Sequence, residues 1–214
     1  MNTADKITTI RIILAPVFFA VLNFNRIFSV LTGSPSVGSG REGFFLYWQI
    51  PALWIIFIAA ELTDMFDGMA ARKRGEVSDF GKLYDPFADT IFQVTLFLSF
   101  VINNILPVFP FLLILYREFA ILLIRNLMLR KGISMGARIG GKIKTVVYIT
   151  AGVLSLIVYS LRLLLEPFAN RGLLNSYNRI YLIFSRSAVI VFILSVAVSI
   201  ISFADYVRVY RSNR

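Results

Sequence analysis

Apolar residues run through this chain in six stretches, near residues 12–31, 44–63, 87–106, 107–129, 144–165 and 187–207, with the polar residues gathered between them. Each stretch is long enough to cross the roughly 30 Å hydrocarbon core of a bilayer as an α-helix. The pattern predicts an all-α integral membrane protein of six transmembrane helices, with room for a short N-terminal interfacial helix before the first. Residues 1–214 then form a single transmembrane domain. Only Asn103, Asn104 and Pro107 break the apolar sequence between the third and fourth stretches, so these two make a tight hairpin. The Gly/Ser segment from Gly33 to Gly40 reads as a loop. The connections over 25–43 and 162–186 are long, and the second has room for a short interfacial helix. Lys6 and Arg11 ahead of the first stretch imitate a secretory leader. Pro16 interrupts that stretch and no small-x-small cleavage pattern follows, so it reads as a retained helix.

Charge sharpens this picture. The chain carries 22 Lys+Arg against 12 Asp+Glu, a formal charge of +10. On a soluble protein that balance would suggest nucleic acid. Here 57% of residues are hydrophobic and the cations are sorted between the spans, so nucleic acid is not an expected partner. With the N-terminus inside, the cytoplasmic side collects Lys6, Arg11, Arg72, Lys73, Arg74, Lys82, Arg125, Arg130, Lys131, Arg138, Lys142, Lys144, Arg208, Arg211 and Arg214. The opposite side keeps Arg26, Arg41, Arg162, Arg171, Arg179 and Arg186. This is the positive-inside bias. It predicts a cytoplasmic (inner) membrane protein, both termini cytoplasmic, attracted to anionic membrane lipid. The chain has no cysteine and no histidine. Disulfides, thiol catalysis, a histidine base, a phosphohistidine and histidine-bound zinc are thereby excluded. Acid–base work falls to carboxylates, tyrosine or lysine.

Against that apolar background, four aspartates stand out: Asp64, Asp67, Asp85 and Asp89. A carboxylate at a helix centre in a membrane costs roughly 2.5–3.5 kcal/mol, so four together need a compensating charge. At 100° per residue, Asp64, Asp67, Gly68 and Ala71 fall within roughly 100° of arc, and Gly81, Asp85 and Asp89 within roughly 80° on a second segment. Each stripe sets two carboxylates beside residues with almost no side chain, which leaves room for a bulky flat ligand. Four hard carboxylates balance two divalent cations, and such oxygens suit Mg2+ or Mn2+ better than zinc. The competing explanation is that Asp64 and Asp67 end one helix while Asp85 caps the next. It leaves both glycines and the spacing to Asp89 unexplained.

Asp64, Asp67, Gly68, Ala71, Arg72, Gly81, Asp85 and Asp89 reproduce every fixed position of D-x2-D-G-x2-A-R-x8-G-x3-D-x3-D. The chain therefore resembles the CDP-alcohol phosphotransferase family. The resemblance implies transfer of a phosphatidyl or similar group from a CDP-linked donor to an alcohol, with release of CMP and dependence on a divalent-metal pair. It implies Asp64, Asp67, Asp85 and Asp89 as metal ligands, with Asp89 also the general base for the acceptor hydroxyl. Asp64, Gly68, Ala71, Arg72 and Gly81 would meet the CDP group. Arg72 has a competing reading as a topology arginine beside Lys73 and Arg74. The family also suggests a homodimer.

The rest of the chain narrows the acceptor. Thr8, Arg11 and Pro16, then Arg117-Glu118, Lys131-Gly132-Ile133, Gly141-Lys142-Ile143-Lys144-Thr145 and Ser202-Phe203-Ala204-Asp205-Tyr206 resemble the bacterial phosphatidylglycerophosphate synthases within that family. Departures are Ala4 and Asp5 in place of Pro and Asn, and Thr90 where lysine is usual. The expected substrates are CDP-diacylglycerol and glycerol 3-phosphate. Arg117, inside an apolar helix, is the first candidate for the acceptor phosphate; its alternative is a pair with adjacent Glu118 or a nearby aspartate. Lys142, at a helix start, comes next. Lys144, Arg125 and Arg138 follow, each equally accounted for by positive-inside placement. Inositol phosphate, serine or phosphatidylglycerol remain alternative acceptors. An ion channel or transporter is the alternative outside the enzyme class, since intramembrane aspartates also mark ion paths.

Overall fold

The computed structural model describes the backbone of residues 3–33, 47–74, 79–132, 139–165 and 174–212. It describes their side chains apart from 3–7, 32, 64–74, 79, 80, 82, 139, 165 and 174–178. The described residues form seven helices and no strand: α1 (Thr3–Leu22), α2 (Phe24–Thr32), α3 (Gln49–Arg74), α4 (Asp79–Ile102), α5 (Val108–Arg130), α6 (Ile139–Leu165) and α7 (Leu174–Ser212).

Among the described residues, three helices contain segments long and apolar enough to cross a membrane: Leu83–Ile102, Gly140–Leu164 and Arg179–Ser212. The bent pair Thr8–Leu22 and Phe24–Leu31 would make a fourth. The expected count of six is not reached by this measure. Among the described residues the apolar part of α3 is Gln49–Thr63, and α5 carries Arg117, Glu118 and Arg125 within its length.

Both long connections are partly helical; the expected helix over 12–31 is divided, and the helix within the second connection is continuous with the last span. Within 25–43, residues up to Thr32 form α2, bent by 68° from α1. Within 162–186, the residues from Leu174 are the first turns of α7 and run without a break into the last span. The physical reason is side-chain pairing that a hydropathy pattern does not register. At the α1–α2 bend, Asn23 Nδ2 donates to Phe19 O at 3.0 Å, Gln49 Nε2 to Val21 O at 2.9 Å and the Tyr159 hydroxyl to Leu22 O at 2.8 Å. Phe19 O also accepts from Asn23 N at 3.0 Å, so the bonds that reach the bend from other helices are those to Val21 O and Leu22 O, which complete carbonyls at the end of α1.

The hairpin between α4 and α5 forms as expected. Asn104 takes φ 57° and Pro107 is extended before α5 starts. Asn103 Nδ2 donates to Asn23 Oδ1 at 2.9 Å, Arg26 Nη1 to Ile102 O at 3.2 Å and Arg162 Nη1 to Asn103 O at 2.9 Å. Arg26 and Arg162 therefore share one end of the bundle, opposite the end of α4 that holds Asp85.

Helix α1 packs on both α3 and α4, α5 on α4 and α7, and α6 on α7. The core between them is aromatic. Phe18 meets Phe92 and Phe100 edge-on with centroids 6.2 and 6.1 Å apart, and Phe97 meets Tyr148 at 5.4 Å and Phe192 at 5.0 Å. Gly152 lets α6 close on this core, since a Cβ there would lie 3.1 Å from Leu96 Cδ2 and from Phe57 Cε2.

Candidate active site

Both halves of the aspartate motif lie on helix. Asp64, Asp67, Gly68, Ala71 and Arg72 occupy the C-terminal part of α3, and Gly81, Asp85 and Asp89 the N-terminal half of α4. The side chains of the first five lie outside the described residues. Asp85 and Asp89 stand one turn apart on α4, as their spacing requires.

Asp85 has a partner from α1. Arg11 Nη1 lies 3.3 Å from Asp85 Oδ1, with the Arg11 side chain 1% exposed and that of Asp85 48%. One residue earlier, Tyr84 OH lies 3.0 Å from Thr9 Oγ1, so two adjacent contacts set α1 against the motif helix. Sequence reasoning used Arg11 only as a positive charge near the N-terminus and as part of a resemblance. Asp89 also has a partner that was missed: Gln93 Nε2 donates to its Oδ1 at 2.7 Å. The i, i+4 spacing on one helix was the available signal.

A cavity of about 220 Å³ opens beside Asp89. Helix α4 contributes Pro86, Asp89 and Thr90 to its wall, and α5 contributes Arg117, Glu118 and Arg125. Gly141, Lys142, Lys144 and Thr145 come from α6, and Ser202 and Tyr206 from α7. The residue read as base and the three read as phosphate-binding thus line one space. Arg125, placed behind them from sequence, lines it too; its Nη2 donates to Tyr206 OH at 3.2 Å, and its guanidinium lies 5.5 Å from that ring's centroid. Arg138 lies outside the described residues.

Arg117, Lys144 and Arg125 are held in place by partners. Arg117 pairs with Glu118 at 2.9 Å, as one sequence alternative had it, and also faces the cavity. Lys144 Nζ lies 2.8 Å from the same Glu118 oxygen. Lys142 is exposed in the first turn of α6, whose N-terminal end adds partial positive charge. Four cations against the carboxylates of Glu118 and Asp89 leave the wall with an excess of two positive charges, suited to a phosphate monoester.

No group of three acidic, histidine or cysteine side chains that could hold a metal occurs among the described residues. The donors that are described do fit a hard divalent cation. Asp85 and Asp89 offer only oxygen, a turn apart, one of them half open to solvent and the other on the cavity wall.

Comparison with known proteins adds an independent finding. Residues 1–201 match the family model of the CDP-alcohol phosphatidyltransferases. The chain is 40% identical over 161 residues to a Treponema pallidum (strain Nichols) protein named CDP-diacylglycerol–glycerol-3-phosphate 3-phosphatidyltransferase, covering 75% of this chain and 71% of that one. A Bacillus subtilis (strain 168) protein of the same name is 33% identical over 178 residues, covering 80% and 86%. A probable phosphatidylglycerophosphate synthase of Mycobacterium tuberculosis (strain H37Rv) is 31% identical over 150 residues, covering 70% and 63%.

Proposed function

The chain belongs to the CDP-alcohol phosphatidyltransferase family, and from that premise we propose that it transfers the phosphatidyl group of CDP-diacylglycerol to sn-glycerol 3-phosphate, giving phosphatidylglycerophosphate and CMP. The observation that supports this acceptor is the single cavity that joins Asp89 to Arg117, Arg125, Lys142 and Lys144. A phosphate monoester with a free primary hydroxyl is matched at both ends by such a wall, the anion by the cations and the hydroxyl by the carboxylate.

In the reaction, the acceptor's primary hydroxyl oxygen forms a bond to the phosphatidyl phosphorus. The bond from that phosphorus to the bridging oxygen of the diphosphate breaks, and CMP leaves with the electron pair. Asp89 takes the hydroxyl proton. Gln93, donating to Asp89 Oδ1, fixes the plane of that carboxylate. Arg117 and Lys144 hold the acceptor phosphate, and Arg125 and Lys142 close around it. These contacts convert an encounter into an aligned attack, which is where most of the rate gain arises when the base is an ordinary aspartate. Gly68, Ala71 and Gly81 leave space for the CDP group, and Arg72 pairs with its phosphate. A pair of divalent cations, Mg2+ or Mn2+, held by Asp64, Asp67, Asp85 and Asp89, supplies charge neutralisation of the diphosphate when bound.

The same proposal includes the setting: one domain of six membrane spans in the cytoplasmic membrane, with the active site and both termini at the cytoplasmic face, working as a homodimer. Arg26 and Arg162 meet at the bundle end remote from Asp85, in keeping with a cation-poor outer side. The deciding assay is CMP release from CDP-diacylglycerol by the purified chain with a panel of acceptors. Glycerol 3-phosphate should support release in the presence of Mg2+ or Mn2+. Release with serine or an inositol phosphate, and none with glycerol 3-phosphate, would overturn the acceptor assignment.

A further inference from the structure

The cavity wall holds a carboxylate that the reaction above does not use. Glu118 is 2% exposed, and its Oε1 alone receives three donors. These are Arg117 Nη1 at 2.9 Å, Lys144 Nζ at 2.8 Å and the Tyr148 hydroxyl at 2.9 Å. Side chains of consecutive helical residues diverge by about 100°, so Arg117 and Glu118 do not meet by default. They meet because Arg117 is gripped from its other side too: its Nε donates to Ser199 O at 3.0 Å. Tyr148 is gripped likewise, its hydroxyl 2.9 Å from Ser199 Oγ, and its ring centroid lies 4.6 Å from Lys144 Nζ. Helices α5 and α6 supply the three donors to this one oxygen, and α7 holds two of them through Ser199.

Two buried cations without an anion between them repel each other and turn toward water. We propose that Glu118 is a positioning residue for the acceptor phosphate, holding the Arg117 guanidinium and the Lys144 ammonium side by side at the cavity wall before the acceptor enters. The proposal rests on the transfer reaction given above. Two of the five N–H groups of Arg117 are occupied by Glu118 and Ser199, and one of the three on Lys144 by Glu118, which leaves donors on both for a phosphate. The anion then meets a pair already ordered, and the ordering cost that flexible cations would add to binding is absent. Glu118 itself touches no substrate. Tyr148 and Ser199 keep its oxygen turned to the two cations.

The test is steady-state kinetics of the full chain with CDP-diacylglycerol and glycerol 3-phosphate. Glu118→Gln keeps the size and one acceptor oxygen but removes the charge. It should raise the KM for glycerol 3-phosphate about tenfold or more. The KM for CDP-diacylglycerol, and kcat at saturating acceptor, should stay within about twofold of the starting values. Tyr148→Phe keeps every charge and should raise the acceptor KM in the same direction by less. The double variant Glu118→Gln/Lys144→Met should raise it by less than the product of the single effects, because the two residues act as a unit. An equal change in both KM values, or a fall in kcat with the acceptor KM unmoved, would assign Glu118 to helix packing and overturn the proposal. If Glu118→Gln does not accumulate in membranes, Tyr148→Phe decides by the same split. A starting protein that releases no CMP with glycerol 3-phosphate would overturn the transfer reaction itself. One that does, with the acceptor KM unmoved in both variants, overturns only the role of Glu118.

Discussion

Asp85 and Asp89 lie one turn apart on the same helix, yet their surroundings differ. Asp85 is half exposed and faces Arg11, while Asp89 opens on the cavity and is oriented by Gln93. Asp85→Asn should abolish turnover and weaken Mg2+-dependent binding of CDP-diacylglycerol, because an amide lowers the negative charge and sets a donor where an acceptor is needed. Asp89→Asn should lose turnover as completely but keep measurable donor binding. Equal loss of donor binding in both would make Asp89 primarily a ligand and move the base elsewhere. Arg117→Ala is expected to raise the KM for glycerol 3-phosphate far more than that for CDP-diacylglycerol, since a charge-assisted phosphate contact is worth a few kcal/mol. Matched rises for the two substrates would leave Arg117 a structural ion. The aspartates and Arg117 were legible in sequence because a charged residue in an apolar run is costly and so conspicuous. Arg11, Gln93 and Glu118 were not, because what distinguishes them is a neighbour. Glu118 beside Arg117 looked like a local pair, and only the packing of α6 shows that it serves Lys144 and Tyr148 as well.

Among the helices, apolar length predicted the positions of α4, α5 and α6 closely but not how helices begin, bend and end. The first apolar run is long enough for one span, yet it is divided at Asn23 with a bend of 68°. The bend is stable because side chains from α3 and α6 complete the exposed carbonyls of α1. Tyr159→Phe tests this at one atom. It removes the donor to Leu22 O and leaves a buried carbonyl unpaired, which should cost about 1–3 kcal/mol. The thermal midpoint of the protein in detergent should fall while the activity of the folded fraction is kept. An unchanged midpoint would mean that the α1 end needs no partner from α6. Similarly, the polar residues at 174–186 looked like a connection, whereas they form the first turns of α7.

For the molecule as a whole, the absence of cysteine makes sidedness directly measurable. Ser29→Cys on α2 should react with a membrane-impermeant thiol reagent from outside intact cells, and Ser212→Cys at the end of α7 only after permeabilisation. Labelling of Ser212→Cys from outside would reverse the proposed orientation. The sequence by itself determined the all-helical membrane character, the helical placement of both motif halves, the hairpin at Asn103 to Pro107 and the family. Each of these is written in spacing along the chain, through period, run length or fixed motif intervals, and spacing survives without any fold. The tertiary structure decided which distant residues share a space. Asp89 from α4, Arg117 and Arg125 from α5, Lys142 and Lys144 from α6, and Tyr206 from α7 meet at one cavity because α5 packs on α4 and α7, and α6 on α7. No periodicity within one helix specifies which face of another it will meet. That is settled by the packing of Phe97, Tyr148 and Phe192 and by the closeness that Gly152 permits, where shape complementarity and not hydropathy fixes the register.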